Sequence, residues 1–574
     1  MGRGREEGIS AIFDPVAFVN ATGETESPVP LFGVSKPRFA CVNECEHPMK
    51  FDVVIAGGGF AAAYCARALG RVLGREEGHR RVAVISERNV FTFQPMLAEV
   101  VGSSLLPHDV VNPLRHFCRR VTVLQGRIHA IDWSHRELTL DGGRFTRNQT
   151  VQFEHLVLAL GAVTDLSKVP GLAEYGWPMR TVADALRLRS AIINRLEEAN
   201  LIEDPVVRAR LMTFVVVGGG YTGVETAGQL NALVTECSHL YFNLRSVRPR
   251  VILVHGQEHL LAEIGPELGA YAQRVLERNQ VEVKLNTRVI EVTATKAILN
   301  DGSTIDAATL VSTIGSAPNP LVLDLCRQIG AATVKGRIET DPCMRVPGHT
   351  HLWAAGDCAA VPWNDRGTPR ISPPTSQFAL RHGQQLGLNL ARVLKNQSPR
   401  PFAYRYMGQL ATIGSREAVA EILGFHFRGF IAWWLWRTIY LSKLPGIARK
   451  LRVVIDWTME LIFSRDISLL LPPSEDILRA IHLEKDEILV SNGDLLRAFY
   501  YVRRGGIQVT TADGKTLTLG PGSIINQNFL GELERWPIDA VATDSSDVIV
   551  FRGRALELFR KELRLSPMKE ERRA

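Results

Sequence analysis

Two short glycine-rich segments have the residue types and the spacing that cradle a pyrophosphate. They are Gly57-x-Gly59-x-x-Ala62 and Gly218-x-Gly220-x-x-Gly223. In such a segment the first glycine makes a tight turn, the second lets the backbone approach the phosphates, and the third small residue lets a helix pack on a strand. The phosphates then lie at the positive end of that helix. One match is weak support, but two matches in one chain predict two bound dinucleotides.

The residues around each segment predict the strand and the helix that position it. The β-branched runs "FDVVIA" and "TFVVV" precede the glycines and are typical of strands buried on both faces. "FAAAYCARAL" follows the first segment and predicts a helix. We therefore predict an α/β fold with two Rossmann-like dinucleotide-binding domains.

The residue after the next strand bears on which dinucleotide each domain binds. "RVAVIS" ends at Glu87, an acid that can accept both hydroxyls of an adenosine ribose. "RVILV" is instead followed by His255, with Glu258 a few residues later. Arginines nearby could bind a 2′-phosphate, so the pattern leaves NADH and NADPH open. These arginines are Arg245, Arg248 and Arg250.

A third segment, "THLWAAGDCAAV", places Gly356 and Asp357 after a short apolar run. It resembles the two-dinucleotide flavoproteins, in which the aspartate binds the ribitol of FAD. "LVLALGAVTDLSKVPGL", which contains Gly161, resembles the crossover between their domains. The resemblance implies that the first site binds FAD and the second NAD(P)H. The implied boundaries are 49–165 and 310–400 for the FAD-binding domain, and 166–309 for the NAD(P)H-binding domain.

The cysteines bear on the electron acceptor. Disulfide reductases of this class need a CxxxxC or CxxC pair facing the flavin, and the first helix holds only Cys65. We therefore expect no thiol substrate, while peroxide reduction by a single cysteine stays open. Cys41 and Cys45 have no second pair to complete a zinc site, and we predict no metal site.

The chain from about residue 50 to 467 resembles the type II, single-subunit NADH:quinone oxidoreductases. The segments that carry the resemblance are the paired glycine motifs, "PPTSQ", and "GQLATIGSREAVA" with the tryptophan-rich block after it. The family implies non-covalent FAD, NADH as first substrate with NADPH as the alternative, and electron transfer to a membrane quinone without proton pumping. Alternatives are a flavoprotein with another acceptor, or a redox sensor regulated by its C-terminal module.

The same resemblance implies individual roles. Gln377, in "PPTSQ", matches a residue that lines the quinone pocket, although Ser376 stands where the family usually has alanine. Glu225, in "GVETAG", matches a carboxylate near the nicotinamide, where burial would shift its pKa. Its alternative role is that of a helix residue bonded to nearby backbone. Further matches lie beside the nicotinamide, at Gly315, and over the flavin, at Gln94 and Pro95.

Residues 401–472 are predicted to associate with a membrane surface, chiefly through 424–463. This stretch combines tryptophans with basic residues, which suits the headgroup boundary; they are Trp433, Trp434, Trp436, Tyr440, Trp457, Arg428, Arg437, Lys443, Arg449, Lys450 and Arg452. The alternative is an ordinary core helix with a solvated basic edge. No apolar run reaches the ~18 residues of a spanning helix, so we expect no crossing of the bilayer. The resemblance implies a peripheral protein on the cytoplasmic face of the inner membrane.

The remaining features concern partners and the two ends of the chain. The net charge is +7 without long basic runs, so we expect no nucleic-acid partner, and a homodimer stays open. Residues 1–48 read as a flexible extension.

Regularly spaced glycine turns over 473–574 predict a small β-roll. It resembles a cyclic-nucleotide-binding domain with Gly531-Glu532, but Ile538 stands where an arginine should hold the phosphate and Arg535 precedes that position, so we expect a degenerate module.

Overall fold

Both glycine-rich segments lie between a buried strand and a helix in a computed structural model of the chain. The described residues are 49–143, 146–365, 367–460, 462–469, 478–492, 498–511, 514–525 and 536–552. The predicted N-terminal extension, residues 1–48, lies outside them.

The first part of the chain builds a largely parallel sheet. Its helices are α1 (Phe60–Leu73), α2 (Arg75–Arg81), α3 (Leu97–Val101) and α4 (Leu114–Phe117). Its strands are β1 (Met49–Ala56), β2 (Val82–Ser86), β3 (Val90–Thr92), β4 (Val111–Pro113), β5 (Thr122–Gln125), β6 (Arg127–Asp132), β7 (Glu137–Asp141), β8 (Gln149–Leu158) and β9 (Ala162–Thr164). The sheet order is β5-β2-β1-β8-β7-β6. Because β2 is buried along its whole length, the sheet is covered on both faces.

The next part builds a second parallel sheet. Its helices are α5 (Leu172–Tyr175), α6 (Val182–Leu201), α7 (Pro205–Leu211), α8 (Tyr221–Ser238) and α9 (Pro266–Arg278). Its strands are β10 (Gly176–Pro178), β11 (Thr213–Val217), β12 (Arg250–Val254), β13 (Val281–Lys284), β14 (Val289–Val292), β15 (Lys296–Leu299), β16 (Thr304–Asp306) and β17 (Thr309–Ser312). The order β10-β17-β11-β12-β13 is parallel throughout, and β14-β15-β16 form a small antiparallel sheet beside it.

The chain then returns to the first sheet. The helices here are α10 (Pro320–Ile329), α11 (Ser376–Val393), α12 (Gly429–Lys443) and α13 (Ile447–Met459). The strands are β18 (Ser316–Pro318), β19 (Thr333–Val334), β20 (Arg337–Glu339), β21 (Leu352–Ala354), β22 (Ala359–Ala360), β23 (Pro362–Asp365), β24 (Thr368–Ile371), β25 (Gly408–Gly414), β26 (Glu417–Ile422) and β27 (Phe425–Arg428). Strand β21 pairs in parallel with β8, and β18 pairs with β9 at the crossover.

Helices α1 and α11 pack unusually closely, which fixes the end of the first sheet. A Cβ on Gly383 would lie 2.3 Å from the Ala61 carbonyl oxygen, and one on Gly387 would lie 2.4 Å from that of Cys65. Only glycine allows the two backbones to meet at this distance. The start of α11, which carries Gln377, is thereby held beside the first glycine turn.

The C-terminal part is a two-sheet β structure. Its strands are β28 (Leu478–Leu483), β29 (Ile488–Val490), β30 (Ala498–Arg504), β31 (Ile507–Thr511), β32 (Thr516–Leu519), β33 (Ile524–Ile525), β34 (Ile538–Ala542) and β35 (Ser546–Arg552). They form the antiparallel sheets β28-β35-β30-β33 and β29-β34-β31-β32 around buried Trp536. The predicted fold class, two Rossmann-like domains followed by a β-roll, is confirmed. Gly531, Glu532 and Arg535 lie outside the described residues.

The expected use of the tryptophans on α12 and α13 is wrong in part. Trp433, Trp436 and Trp457 are buried, and only Trp434 of the four is exposed. Arg437 lies over the rings of Trp433 and Trp457 at 4.0 and 4.6 Å, so it is not a free surface cation. Periodicity alone does not tell a tryptophan that fills the core from one that faces a lipid surface. The exposed apolar residues of these helices are mostly aliphatic.

Candidate active site

The first glycine turn has the geometry of a phosphate cradle. Gly57 has a φ of 126°, and a Cβ there would lie 2.2 Å from the Ala159 carbonyl oxygen. Gly59, at the start of α1, faces open space, which leaves room for a ligand beside the helix N-terminus. Ala62 is fully buried, where its small side chain lets α1 pack on the sheet.

A cavity of about 970 Å³ opens beside this turn. The predicted cofactor-binding residues that line it are Gly57, Gly59, Glu87, Gln94, Gly161, Gly356 and Asp357. Its volume suits a large cofactor. Burial raises the pKa of Asp357, while Arg180 and Arg337 act in the opposite direction. The volume of the cavity, its polar residues Glu87 and Asp357, and the open space at Gly59 therefore fit FAD.

The second glycine turn is tighter. Gly218 has a φ of 112°, and a Cβ on Gly223 would lie 1.7 Å from the Gly218 carbonyl oxygen. Gly220, at the start of α8, faces open space like Gly59. Two similar turns at two helix N-termini are thus present.

His255 belongs to the second turn itself. Its Nδ1 accepts a hydrogen bond from the Gly219 N–H at 3.0 Å, and burial lowers its pKa. Arg250, proposed above as a phosphate partner, instead donates to both oxygens of Glu282 at 2.7 and 2.9 Å. Arg288 lies against Gly256, where a Cβ would be 3.0 Å from the Arg288 Cγ, and no local sequence pattern predicts this contact.

A second cavity, of about 600 Å³, extends from the second turn to Phe60, the residue directly after the first turn. The predicted residues that line it are Gln94, Pro95, Gly220, Gly223, Glu225, Gly315, Asp357 and Gln377. Phe60, Gln94, Arg180, Asp357 and Ser376 line both cavities. Of the predicted site residues, only Ala62 and Gly218 line neither cavity.

Glu225 is bonded to nearby backbone and also lines the second cavity, while its role beside the nicotinamide stays a prediction. Its carboxylate is buried, lines the second cavity, and accepts the Thr412 N–H at 3.3 Å. Burial raises its pKa to about 8, and nearby Glu99 acts in the same direction. Glu225 is therefore a protonated acid at neutral pH, held at the wall of a cavity between α8 and β25.

Gln377 is fixed by an aromatic side chain and an arginine. Its side-chain amide donates to the Tyr404 hydroxyl. Its main-chain carbonyl oxygen accepts from Arg381 Nη1 at 3.0 Å. The Arg381 guanidinium lies 4.1 Å from the centre of the Tyr404 ring. These contacts orient the first turn of α11 toward the cavity.

Comparison with known proteins places the chain in a family. Residues 51–383 match the pyridine nucleotide-disulphide oxidoreductases, 406–466 match the NDH2 C-terminal domain, and 480–562 match the cyclic nucleotide-binding domain. The type II NADH:quinone oxidoreductase NdhA of Mycobacterium tuberculosis is 31% identical over 421 residues, covering 71% of this chain and 86% of that protein. The chain belongs to the type II NADH:quinone oxidoreductases.

Other relatives agree with this membership. The type II NADH:quinone oxidoreductase Ndh of the same organism is 29% identical over 430 residues, covering 73% of this chain and 89% of that protein. The structure of NDH2 from Plasmodium falciparum in complex with NADH shares the fold, with a TM-score of 0.67 and 17% identity. The structural match covers 74% of this chain and 100% of the Plasmodium falciparum chain.

Sequence reasoning missed several residues of this type II oxidoreductase. Tyr221, Tyr406, Tyr440 and Lys443 line the second cavity, and they come from three separate segments: α8, the stretch before β25, and α12. Burial raises the pKa of each tyrosine and lowers that of Lys443. A lone tyrosine in an apolar helix carries no signal of its own, so only the fold identifies these four.

Cys65 and Cys118 are poorly suited to act as redox thiols. Cys65 and Cys118 are buried, and burial raises the pKa of Cys118 to about 12 and that of Cys65 further. Protonated, buried thiols are poor nucleophiles.

Glu154, His155 and His351 place ligand atoms within 4.8 Å of one another. Burial lowers the pKa values of both histidines, and Arg136 and Arg345 add to the effect. The positive charge of these two arginines opposes a bound cation.

Proposed function

We propose that the chain passes two electrons from NADH, through bound FAD, to a membrane quinone without moving protons across the membrane. The observation that carries the proposal is the shared wall of the two cavities. Each glycine turn opens into one of them, and Gln94, Asp357 and Ser376 line both. Two dinucleotides held there would meet at that wall.

The FAD would be held by the first turn and by the groups around it. Gly59 leaves space for the pyrophosphate at the start of α1, Glu87 stands at the end of β2 for the ribose, and Asp357 borders both cavities. Bound FAD would accept a hydride from NADH and pass two electrons to the quinone, while the protein orients the partners.

NADH would bind at the second turn. Gly220 leaves the N-terminus of α8 open to the pyrophosphate, and Gly315, with a φ of 90°, borders the second cavity. Gly315 has no room for a side chain, since a Cβ would lie 2.4 Å from the Asp165 carbonyl oxygen. NADPH is the alternative substrate at this turn.

The quinone would approach from the side of α12. Leu380, Arg381 and Lys443 line the second cavity and also a third one, of about 510 Å³, at the turn between α12 and α13. Gln377 borders this path at the inner end. Glu225 lies on the same wall and holds a proton at neutral pH, so it can supply one of the two protons that a quinone takes up with two electrons.

The outer surface of α12 and α13 would face the membrane. Its exposed apolar residues are Phe430, Ile431, Trp434, Ile447, Leu451, Val454, Ile455, Met459, Ile462 and Phe463. Such a face suits a helix pair lying at the headgroup boundary. In the described part of the chain, no helix has both the length and the hydrophobicity needed to cross a bilayer. Peripheral attachment to the cytoplasmic face of the inner membrane is part of this proposal.

An anaerobic titration of the purified protein tests the function. We expect a yellow protein whose flavin absorbance is bleached by NADH and restored by a quinone analogue. NADPH is titrated in parallel to compare the two substrates. A colourless protein that takes up no flavin would contradict the FAD site. A flavin that NADH bleaches but no quinone reoxidises would contradict the acceptor alone.

The C-terminal β-roll supports a second candidate, a redox sensor. It is bound to the second dinucleotide domain by Arg210–Glu487 and Lys296–Glu484 ion pairs, both at 3.1 Å, and by Tyr175 donating to Asp547 at 3.0 Å. A signal at the β-roll would thus reach the NADH side before the quinone side. Slow flavin reduction by NADH without steady quinone turnover would favour this candidate.

A further inference from the structure

A basic cavity lies between α1, α4 and α13; it shares no lining residue with the two dinucleotide cavities and borders the third cavity at Arg67, Pro445 and Gly446. It measures about 500 Å³. Its lining includes six arginines and a histidine but no aspartate or glutamate. The arginines are Arg67, Arg71, Arg119, Arg120, Arg449 and Arg452. The first four come from the FAD side of the molecule and the last two from α13, so the cavity spans the junction between them.

The positive charges of this cavity are not neutralised by the protein. Among the described residues, no carboxylate lies within ion-pair distance of any of the six guanidinium groups. Arg120 donates to the Arg71 carbonyl oxygen at 3.4 Å, and Arg67 lies 4.7 Å from the centre of the Phe117 ring. The Nε of Arg449 is buried and has no hydrogen-bond partner. Because the lining supplies many guanidinium donors and no carboxylate acceptor, an anion would complete the cavity.

The titration behaviour of the arginines agrees with this geometry. Burial lowers the pKa of Arg67, and Arg71 and Arg119 add to the effect. Burial also lowers the pKa of Arg449, with Arg452 adding to it and Asp109 opposing it. Asp109 does not line the cavity, and burial together with Asp109 raises the pKa of its neighbour Asp456 to about 6. Even with both of these carboxylates ionised, the six guanidinium groups outnumber them, so the net charge around the cavity stays positive.

Helix α13 also carries an apolar stripe beside the cavity. Ile447, Leu451 and Ile455 repeat every four residues and are 79, 60 and 56% exposed. This spacing places them on one face of the helix. A ligand with its anionic group in the cavity would therefore have apolar chains beside this stripe. Free inorganic phosphate would use the cavity but not the stripe.

We propose that this cavity binds the phosphate of an anionic phospholipid headgroup. Arginine forks bind phosphate oxygens in pairs, and basic pockets beside membrane-contacting helices recognise anionic headgroups. The inference rests on the proposed membrane attachment through α12 and α13. It adds a preference for anionic lipid and places that preference at named side chains.

The test is vesicle flotation of the full-length, FAD-loaded protein. Vesicles of phosphatidylcholine alone are compared with vesicles that also contain phosphatidylglycerol. The double variant Arg449→Gln/Arg452→Gln should lose affinity for the anionic vesicles by about tenfold or more, because two of the guanidinium forks that bind the headgroup phosphate are removed. Turnover with NADH and a soluble quinone analogue should stay unchanged.

The matched control is Arg75→Gln/Arg115→Gln, which removes two charges from a neighbouring basic cavity. This control should keep most of its affinity. An equal loss in both variants would indicate general charge attraction and overturn the site. Protection of the wild type against heat by inorganic phosphate, without a preference between vesicles, would indicate a phosphate site instead. Wild-type protein that binds no vesicle would contradict the membrane attachment, whereas equal binding to both vesicle types would contradict the headgroup site alone.

Discussion

Trp457 donates its indole N–H to the carboxylate of Glu99, with 2.7 Å between Nε1 and Oε2. Both side chains are buried. Glu99 lies on α3, the helix that follows the short turn containing Gln94 and Pro95, while Trp457 lies on α13. The bond therefore ties the helices with the exposed apolar face to the segment that lines the proposed flavin site.

Replacement of Glu99 by Gln should make stability less dependent on pH. Burial raises the pKa of Glu99 from 4.5 to about 7; Glu460 adds to this, while Arg437, the Trp457 hydrogen bond and Arg465 oppose it. Between these values the folded state binds more protons than the unfolded state, so its stability falls as pH rises. For one carboxyl this amounts to about 3 kcal/mol.

Thermal unfolding of both proteins at pH 5 and pH 8, followed by flavin fluorescence, measures this effect. The difference in Tm between the two pH values should be smaller for Glu99→Gln than for the wild type. Because the amide can still accept from Trp457, the variant should fold. Trp457→Phe is the companion variant, which leaves Glu99 without its donor and should cost about 1–3 kcal/mol. An unchanged pH difference in Glu99→Gln would show that Glu99 ionises normally.

The Glu99–Trp457 pair shows where sequence reasoning ends. The glycine turns could be predicted because each depends on a strand, a turn and a helix that are adjacent in the chain. Glu99 and Trp457 are 358 residues apart, and neither carries a local pattern that indicates its partner. The same reason explains why the position of Arg288 could not be predicted. Arg288 reaches Gly256 only because β13 pairs with β12 and the chain after β13 runs beside the end of β12. Burial of Trp436 could not be predicted either, since helical periodicity is shared by core-facing and lipid-facing residues.

Replacement of Glu225 by Gln should slow quinone reduction and remove its pH dependence near 8. Burial raises the pKa of Glu225 to about 8, so the wild type holds the proton below that pH and loses it above. The wild-type kcat should fall as pH rises through this range. Since Gln supplies no proton, its kcat should be lower by about a hundredfold at pH 7 and flat across the range. The measurement is kcat from pH 6 to 9 with a soluble quinone analogue.

Glu99→Gln serves as the control for the Glu225 variant, because it removes a neighbouring buried acid that does not line the second cavity. It should retain the fall in kcat with pH. A Glu225→Gln protein with the wild-type pH profile would assign the proton to another group.

Replacement of Gly223 by Ala should abolish reduction by NADH while the protein stays yellow. A Cβ there would lie 1.7 Å from the Gly218 carbonyl oxygen, so the second turn must distort. The first turn is separate and should keep its flavin. Gly57→Ala should behave in the opposite way, losing FAD, because its Cβ would lie 2.2 Å from the Ala159 carbonyl oxygen. Flavin content and the rate of bleaching by NADH are measured for each.

Gly520→Ala is the matched control for the glycine variants, since a Cβ there meets nothing within 4 Å. It should keep both flavin and activity. Loss of flavin in Gly223→Ala would show that the two turns are not independent sites.

Arg288→Gln should weaken the use of NADPH and leave the use of NADH unchanged. An acid at the position of His255 would repel a 2′-phosphate, but here burial lowers the pKa of His255 and its Nδ1 is occupied by the Gly219 N–H. The imidazole therefore neither repels nor attracts the phosphate strongly. Arg250 is held by Glu282, whereas Arg288 lies against Gly256, directly after His255. We expect kcat/KM for NADPH to fall about tenfold, as a lost charge-assisted contact implies.

The control for the Arg288 variant is Arg245→Gln, whose guanidinium lies 5.8 Å from the centre of the Phe242 ring. It should leave both kcat/KM values close to those of the wild type, because Arg245 does not line the second cavity. If Arg245→Gln rather than Arg288→Gln lowered kcat/KM for NADPH, the 2′-phosphate would bind beside Arg245 instead. If neither variant changed the ratio of the two substrates, the second turn would discriminate through its backbone and His255, and Glu258 would be the next residue to replace.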